Sequence, residues 1–480
     1  MKHFHFHTLD EIRQAAAEVG ASHVGFLDSP QSVREVLARP VLVGGATVGN
    51  SIAIHPMEGC DGDAGGRPSE LTWRRYLRFA RGGAKLIWFE ATAVCREGRA
   101  NPRQLWIHPA SAAELARLVE AIRRTHREAW GTDDDLLMPV QLTHSGRFSW
   151  PARIVAVHNP LVDRKTGTPP DQPVIADAQL ERMEDQFVDA ARLALEAGFR
   201  AVDVKATHGY LACELLGART REGRYGGPIE NRTRFLRNIV GKIRAAFGRR
   251  LLIAMRLGCY EGLPYARDPS TGCGVPMEYP VPYQYGFGVD TADPRAIDLD
   301  EVKRAIGWFR DDGVELLSVS LGVPYFNPHI GRPFEKPDEG NYEQPEHPLV
   351  GVDRHFRVTA ALQQAFPELP MLGAGYSWLR EFAVNAAAYN LQAGAARFFG
   401  MGRNALANPG FPREALETGA LSASRVCQTL TYCSYLMRQK NHPLGQFPTG
   451  CPPFDKDGYG AVIKAARETA RTGLTKIRVP

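Results

Sequence analysis

The chain has 480 residues, with 58 Lys+Arg against 53 Asp+Glu, a net charge of +5, 44% hydrophobic residues and 23% charged ones. Gly 47 and Pro 34 without a fixed period exclude collagen-like, coiled-coil and disordered classes, and so small a charge with no dense basic block argues against nucleic acid or a membrane surface as partner. Eight cysteines are too sparse for a disulfide framework, and the opening MKHFHFHTLDE lacks the apolar core of an export signal, so the expectation is a cytoplasmic protein acting on small molecules, with homo-oligomerisation left open.

In chain order, residues 1–40 carry one helix-like stretch, Leu9–Ala17, and read as an N-terminal helical cover. From residue 41 one unit recurs: an amphipathic stretch, a glycine, then a short run rich in Val, Ile, Leu and Phe. The strand candidates SIAI (51–54), LIWFEA (86–91) and LLMPVQL (136–142) come first. The clearest unit has Phe187, Ala190, Ala191 and Ala194 at helical spacing, then Gly198, then AVDV at 201–204. Glycine suits the left-handed position just past a helix end, so each copy reads as helix, cap, strand. Phe235, Ile239, Ile243, Ala246 and Gly248 lead to LLIAMR (251–256), and Val302, Ile306, Phe309 and Gly313 lead to VELLSVS (314–320). PMLGA (370–374) and, after Gly394, ARFFG (396–400) bring the count to eight.

Eight strands with helical connections predict an α/β fold, a (β/α)8 TIM barrel over residues 41–420. No GxGxxG opens a helix after a strand, which argues against a doubly wound dinucleotide fold. Two long connections, Gly258–Asp298 and Leu321–Val350, are dense in Pro, Gly and aromatics and are expected over the C-terminal mouth of the barrel. Residues 421–480 read as a turn-rich C-terminal extension, helix-like at Ala461–Thr472.

Polar residues collect at the predicted strand ends. Gln141, His144 and Arg147 follow the third strand, Lys205, His208 and Tyr210 the fourth, and Gly402–Arg403 the eighth. A glycine turn running into an arginine offers N–H groups and a guanidinium fork to a phosphate, or is simply a tight turn. Arg256 lies in an otherwise apolar strand and must be ion-paired or face a ligand.

These stretches resemble, in family order, the Old Yellow Enzyme family of FMN-containing oxidoreductases. The resemblance runs from about Val41 to Leu416. It is carried by HPM (55–57), ARGGAKLIWFEATAV (80–94), QLTHSGR (141–147), HGYL with RYGGPIENRTRFL (208–236), GVPYFNPH (322–329), and GAGY with FFGMGRNALANP (373–409). It implies an FMN-binding barrel in which Pro56, Met57 and Ala91 lie along the flavin ring and Gln141 reads its pyrimidine edge. Arg256 would face N1 and O2, and Gly375, Gly402 and Arg403 would hold the phosphate. NAD(P)H would be the reductant.

The family's carbonyl-gripping pair and proton-donating tyrosine map onto Lys205, His208 and Tyr210. Lysine departs from the usual histidine, and would polarise a carbonyl, bind a carboxylate, or turn to solvent. Glu58 is a second departure, expected to meet the flavin through its backbone or to point away. Cys427, Cys433 and Cys451 lie where larger relatives ligate an iron–sulfur cluster. At C-x5-C-x17-C they fall one ligand short, and the chain stops at Pro480 without the second flavin domain of those relatives, so a cluster is not expected. The leading expectation is reduction of α,β-unsaturated carbonyl compounds. The alternatives are oxidative demethylation of an N-methylated amine, and flavin binding without turnover.

Overall fold

Residues 201–205, Ala-Val-Asp-Val-Lys, show how the chain builds its centre. Successive side chains of a strand point to opposite faces, so Ala201, Asp203 and Lys205 face one way while Val202 and Val204 face the other. In the computed structural model, which describes residues 3–338 and 340–472, the first set turns into a barrel and the second packs outward against helices.

The barrel strands are β1 (Ile52–Ile54), β2 (Leu86–Ile87 and Phe89–Ala93, interrupted at Trp88), β3 (Pro139–Thr143), β4 (Ala201–Val204), β5 (Leu252–Tyr260), β6 (Leu316–Leu321), β7 (Met371–Gly373) and β8 (Phe398–Met401). All pair in parallel, and the sheet order begins and ends on the two halves of β2, so the sheet closes on itself. The helices that follow each strand are α1 (Glu70–Gly82), α2 (Pro109–Trp130), α3 (Asp177–Glu196), α4 (Arg234–Phe247), α5 (Asp300–Asp312), α6 (Pro348–Ala365), α7 (Ala383–Gln392) and α8 (Phe411–Thr418). All eight predicted strands are present. β5 runs four residues past its predicted end, held by parallel pairing to β6 as far as Tyr260.

Register layers the interior. Gln141, Asp203 and Ala254 are paired neighbours across β3, β4 and β5, and Arg256 stands beside Ser318 one layer higher. Below them Ala53, Leu86, Trp88, Ala201, Leu252, Leu316 and Phe398 form an apolar plug, closed from beneath by Val43 and Val48 of the hairpin Val41–Val43/Ala46–Val48. The inward residues therefore change from apolar to polar to charged toward the C-terminal ends of the strands.

Residues 3–40 hold two helices, not one. Leu9–Glu18 matches the expected stretch, and Pro30–Leu37 is a second, started by Ser29, whose side chain accepts from the Ser32 N–H, and by Pro30 in its first turn. It buries Val33, Val36 and Leu37 and packs against α7 and α8. The extension after α8 folds back onto the barrel. The Thr449 N–H donates to the Gly59 carbonyl at 2.6 Å, and Asp455 receives Arg74 at 2.5 Å and also Arg78. The helix expected at Ala461–Thr472 starts earlier, at Lys456; residues 473–480 lie outside the described residues. Among the described residues no helix is long and apolar enough to cross a membrane.

Candidate functional site

At the C-terminal ends of the strands the polar layer opens into a cavity of about 1010 Å³. Pro56, Met57, Ala91, Gln141, Lys205, His208, Tyr210, Arg256, Gly375, Gly402 and Arg403 all line it. Of the other polar residues at strand ends, Arg147 lines the cavity but is held by Asp163 at 2.5 Å and by Glu214, while His144 lies outside it and accepts from the Gly146 N–H. Of the two long connections only the second reaches the cavity, through Pro324, Tyr325, Phe326, Gly331 and Arg332. Residues 258–298 stand behind it, against a smaller cavity lined by Glu261 and Tyr283.

Asp203 organises the floor. It accepts from the Trp88 indole at 2.8 Å, from Gln141 Nε2 at 2.6 Å and from the Arg256 backbone N–H at 2.7 Å. With one amide N–H given to Asp203, Gln141 keeps its Oε1 and its second N–H for a ligand. Burial raises the Asp203 carboxyl to about 6 against these three donors. Sequence reasoning passed over it, although a lone acid in AVDV carried the signal.

Three guanidiniums that line the cavity, those of Arg256, Arg332 and Arg403, have buried, unpartnered N–H groups. Arg256 Nε has no acceptor, and burial brings that residue down to about 10. Arg403, 9% exposed, gives Nη2 to the Pro333 carbonyl at 2.8 Å and leaves Nη1 without a partner. Buried donors left unmatched are costly, and a ligand that accepts from them removes the cost. Two glycines keep the approach open. Gly375 has φ +97°, where a side chain is strained and a Cβ would stand 2.9 Å from His355 Cβ; a Cβ on Gly402 would collide with Met57 Sδ. An anionic ligand with a flat, amide-edged ring fits this donor set, and FMN is such a group.

The remaining side chains form a second cluster. Lys205 is 4% exposed and turns inward, its Nζ 3.9 Å from the centroid of the Tyr210 ring. Burial lowers it to about 8, with Glu58 opposing and Arg256 adding to the shift. His208 has φ +68°, an uncommon conformation for a non-glycine residue, and burial, then Arg256 and Lys205, keep it neutral well below the usual histidine range. Tyr210 is 2% exposed, with its hydroxyl 3.3 Å from that of Tyr325, and burial pushes its pKa well up.

Glu58 differs from expectation. Its side chain lines the cavity and accepts from Asn101 Nδ2 at 2.9 Å, and burial raises its carboxyl while Lys205 opposes. The Asn101 amide, 43 residues away, is what turns it inward. Sequence reasoning also missed His55, brought down to about 3 by burial and Arg256, and the contribution of Gln446 and Thr449 from the C-terminal extension. Cys427, Cys433 and Cys451 are free thiols, of which Cys433 lines the cavity.

A closed parallel barrel with a cation-lined cavity at the C-terminal ends of its strands defines the class, a (β/α)8 barrel with its candidate site at the mouth. The family described as NADH:flavin oxidoreductase / NADH oxidase matches residues 36–268. An NADPH dehydrogenase from Geobacillus sp. (strain WCH70) is 32% identical over 283 residues, covering 52% of this chain and 78% of that protein. Among solved structures, an Old Yellow Enzyme homologue from Zymomonas mobilis superposes with a TM-score of 0.55 at 21% identity, over 80% of this chain and 94% of that one. A 2-naphthoyl-CoA reductase gives 0.62 at 17% identity, over 84% of this chain but 55% of that one, so the chain spans about half that protein's length. The chain belongs to the NADH:flavin oxidoreductase family and is an NAD(P)H:flavin oxidoreductase of the Old Yellow Enzyme type.

Proposed function

We propose that the protein binds FMN at the barrel mouth and uses NAD(P)H to reduce alkenes conjugated to a carbonyl. One observation carries this reading: the unpartnered guanidinium N–H groups of Arg256 and Arg403 share a single cavity with Lys205, His208 and Tyr210. In it Pro56, Met57 and Ala91 border the flavin ring, and Gln141 and Arg256 meet its pyrimidine edge, where negative charge gathers on reduction. Gly375, Gly402 and Arg403 hold the phosphate. Held there, FMN would supply the hydride relay between the nicotinamide and the β carbon of the alkene.

The protein's own groups do the rest. Neutral His208 donates a hydrogen bond to the carbonyl oxygen and the Lys205 ammonium adds a positive charge beside it, so the alkene is polarised before hydride arrives. Tyr210, protonated throughout the working pH range, delivers its proton to the α carbon. The Lys205 charge against the Tyr210 ring eases that loss, and the Tyr325 hydroxyl at 3.3 Å is placed to return a proton. Phe148, stacked on Tyr325 at 4.1 Å, helps keep bulk water from the reacting carbons.

The test is anaerobic spectroscopy of the FMN-loaded enzyme. NADH or NADPH should bleach the flavin and 2-cyclohexenone should restore it. Bleaching by an N-methylated amine, with enones inert, would replace this reading by oxidative demethylation.

A further inference from the structure

Asp203 has no part in the reaction proposed above, yet it is a fully buried carboxyl at the centre of the barrel. Three donors close on it: the Trp88 indole and Gln141 Nε2 on Oδ2, at 2.8 and 2.6 Å, and the Arg256 backbone N–H on Oδ1, at 2.7 Å. Such a set calls for the ionised, acceptor-only carboxylate.

The consequence falls on Gln141. Turning a side-chain amide by 180° exchanges a donor for an acceptor with almost no change of shape, so its direction is decided by its neighbours. A carboxylate at 2.6 Å admits only Nε2, and Oε1 is thereby committed to the cavity as an acceptor. An acceptor there calls for a ligand N–H, and an oxidised isoalloxazine ring has one, N3–H, between its two carbonyls. Asp203 also takes the backbone N–H of Arg256 and not its side chain, whose Nε stays without a partner for the same ring.

We propose that Asp203 is a positioning residue for the cofactor, which locks the Gln141 amide in the one direction that accepts from N3–H of a flavin. The inference rests on the FMN reading for what meets Gln141. Two charges face Asp203: the Arg256 guanidinium, which favours its ionised form, and the Lys205 ammonium two residues on along the same face, which Asp203 favours in turn. Trp88 and Gln141 carry none. Burial outweighs these contacts and raises the carboxyl to about 6, so below that pH it takes up a proton, the amide is freed to turn, and flavin binding weakens as pH falls.

The experiment is a double-mutant cycle on flavin dissociation, read by the fluorescence released on dilution of the loaded enzyme. Asp203→Asn, whose own amide lets Gln141 turn either way, should weaken FMN by about tenfold or more, and in a Gln141→Leu background the same substitution should change it by less than about twofold. Riboflavin lacks the phosphate that itself titrates near pH 6. Its dissociation constant in the unaltered enzyme should rise toward about tenfold per pH unit below that point, and Gln141→Leu should abolish the rise, which decides the matter even where Asp203→Asn fails to fold. Unchanged affinity in Asp203→Asn, equal loss in both backgrounds, or a flat riboflavin profile in the unaltered enzyme would overturn the inference and leave the FMN reading standing. An unaltered protein that retains neither FMN nor riboflavin would overturn that reading, and the inference with it.

Discussion

Lys205 makes the cavity sensitive to pH. Its ammonium, lowered from 10.5 to about 8, is charged below that value and lost as pH rises through it. A carboxylate ligand held by this charge should bind with constant affinity up to about pH 8 and then weaken toward tenfold per pH unit, since binding then requires uptake of one proton. Glu58 and Arg256 do not change the sign, as both shift Lys205 without replacing it. Titrating the FMN-loaded enzyme with an aromatic carboxylate across this range checks the limb, and Lys205→Met should abolish it. A flat profile in the unaltered enzyme would take Lys205 out of ligand binding. At this scale much of the site was legible. Ala201, Asp203 and Lys205, or Leu252, Ala254 and Arg256, follow the period-2 rule, which alone puts a charge at the barrel's upper end. The side chain of Glu58 was not legible, because its direction is set by Asn101 in a different loop.

Elements are fixed by contacts that no local pattern encodes. Arg75 on α1 reaches Asp61 at 2.5 Å in the loop after β1 and Glu90 at 2.5 Å on β2, and Glu90 accepts from the Gly59 N–H at 2.7 Å. All three side chains are buried, and together they fix the loop carrying Met57 and Glu58 against the strand carrying Ala91. Removing one member of such a group leaves uncompensated buried charge, so Arg75→Met should cost about 3–5 kcal/mol, read by denaturant unfolding of the FMN-loaded protein. A loss under about 1 kcal/mol would mean the loop is held elsewhere. The second N-terminal helix had a readable start in Ser29-Pro30, but its eight residues are too short for periodicity to stand out. Side-chain alternation continues through the break of β2 at Trp88, whose indole turns inward to Asp203, 115 residues on. In the C-terminal extension, Leu436, Tyr435, Phe447 and Tyr459 make a small core of their own. With three cysteines for a four-ligand cluster, anaerobically prepared protein should contain no stoichiometric iron. About four irons per chain would require a fourth ligand from elsewhere.

For the whole molecule, the barrel stacks an apolar plug, a hydrogen-bonded floor and a charged mouth, and the mouth is closed by segments far apart in the chain. This is why the fold could be read from strand and helix periodicity, whereas the cavity wall built by residues 433–449 could not. The charged upper layer also dictates what should hold the cofactor. Arg403→Ala removes a charge-assisted contact worth roughly 1.5–3 kcal/mol and should weaken FMN by ~10–100-fold, measured by fluorescence on dilution of the loaded enzyme. Unchanged retention would move the phosphate away from the β8 turn. The central claim is that one cavity serves two half-reactions, with Tyr210 acting in only one of them. Anaerobic stopped-flow comparison of the unaltered enzyme with Tyr210→Phe tests it directly. Reduction of the flavin by NADPH should proceed at nearly the same rate in both, while its reoxidation by an enone should slow by ~10²–10⁴-fold in the variant. Equal slowing of both steps, or reoxidation at the unaltered rate, would contradict the account.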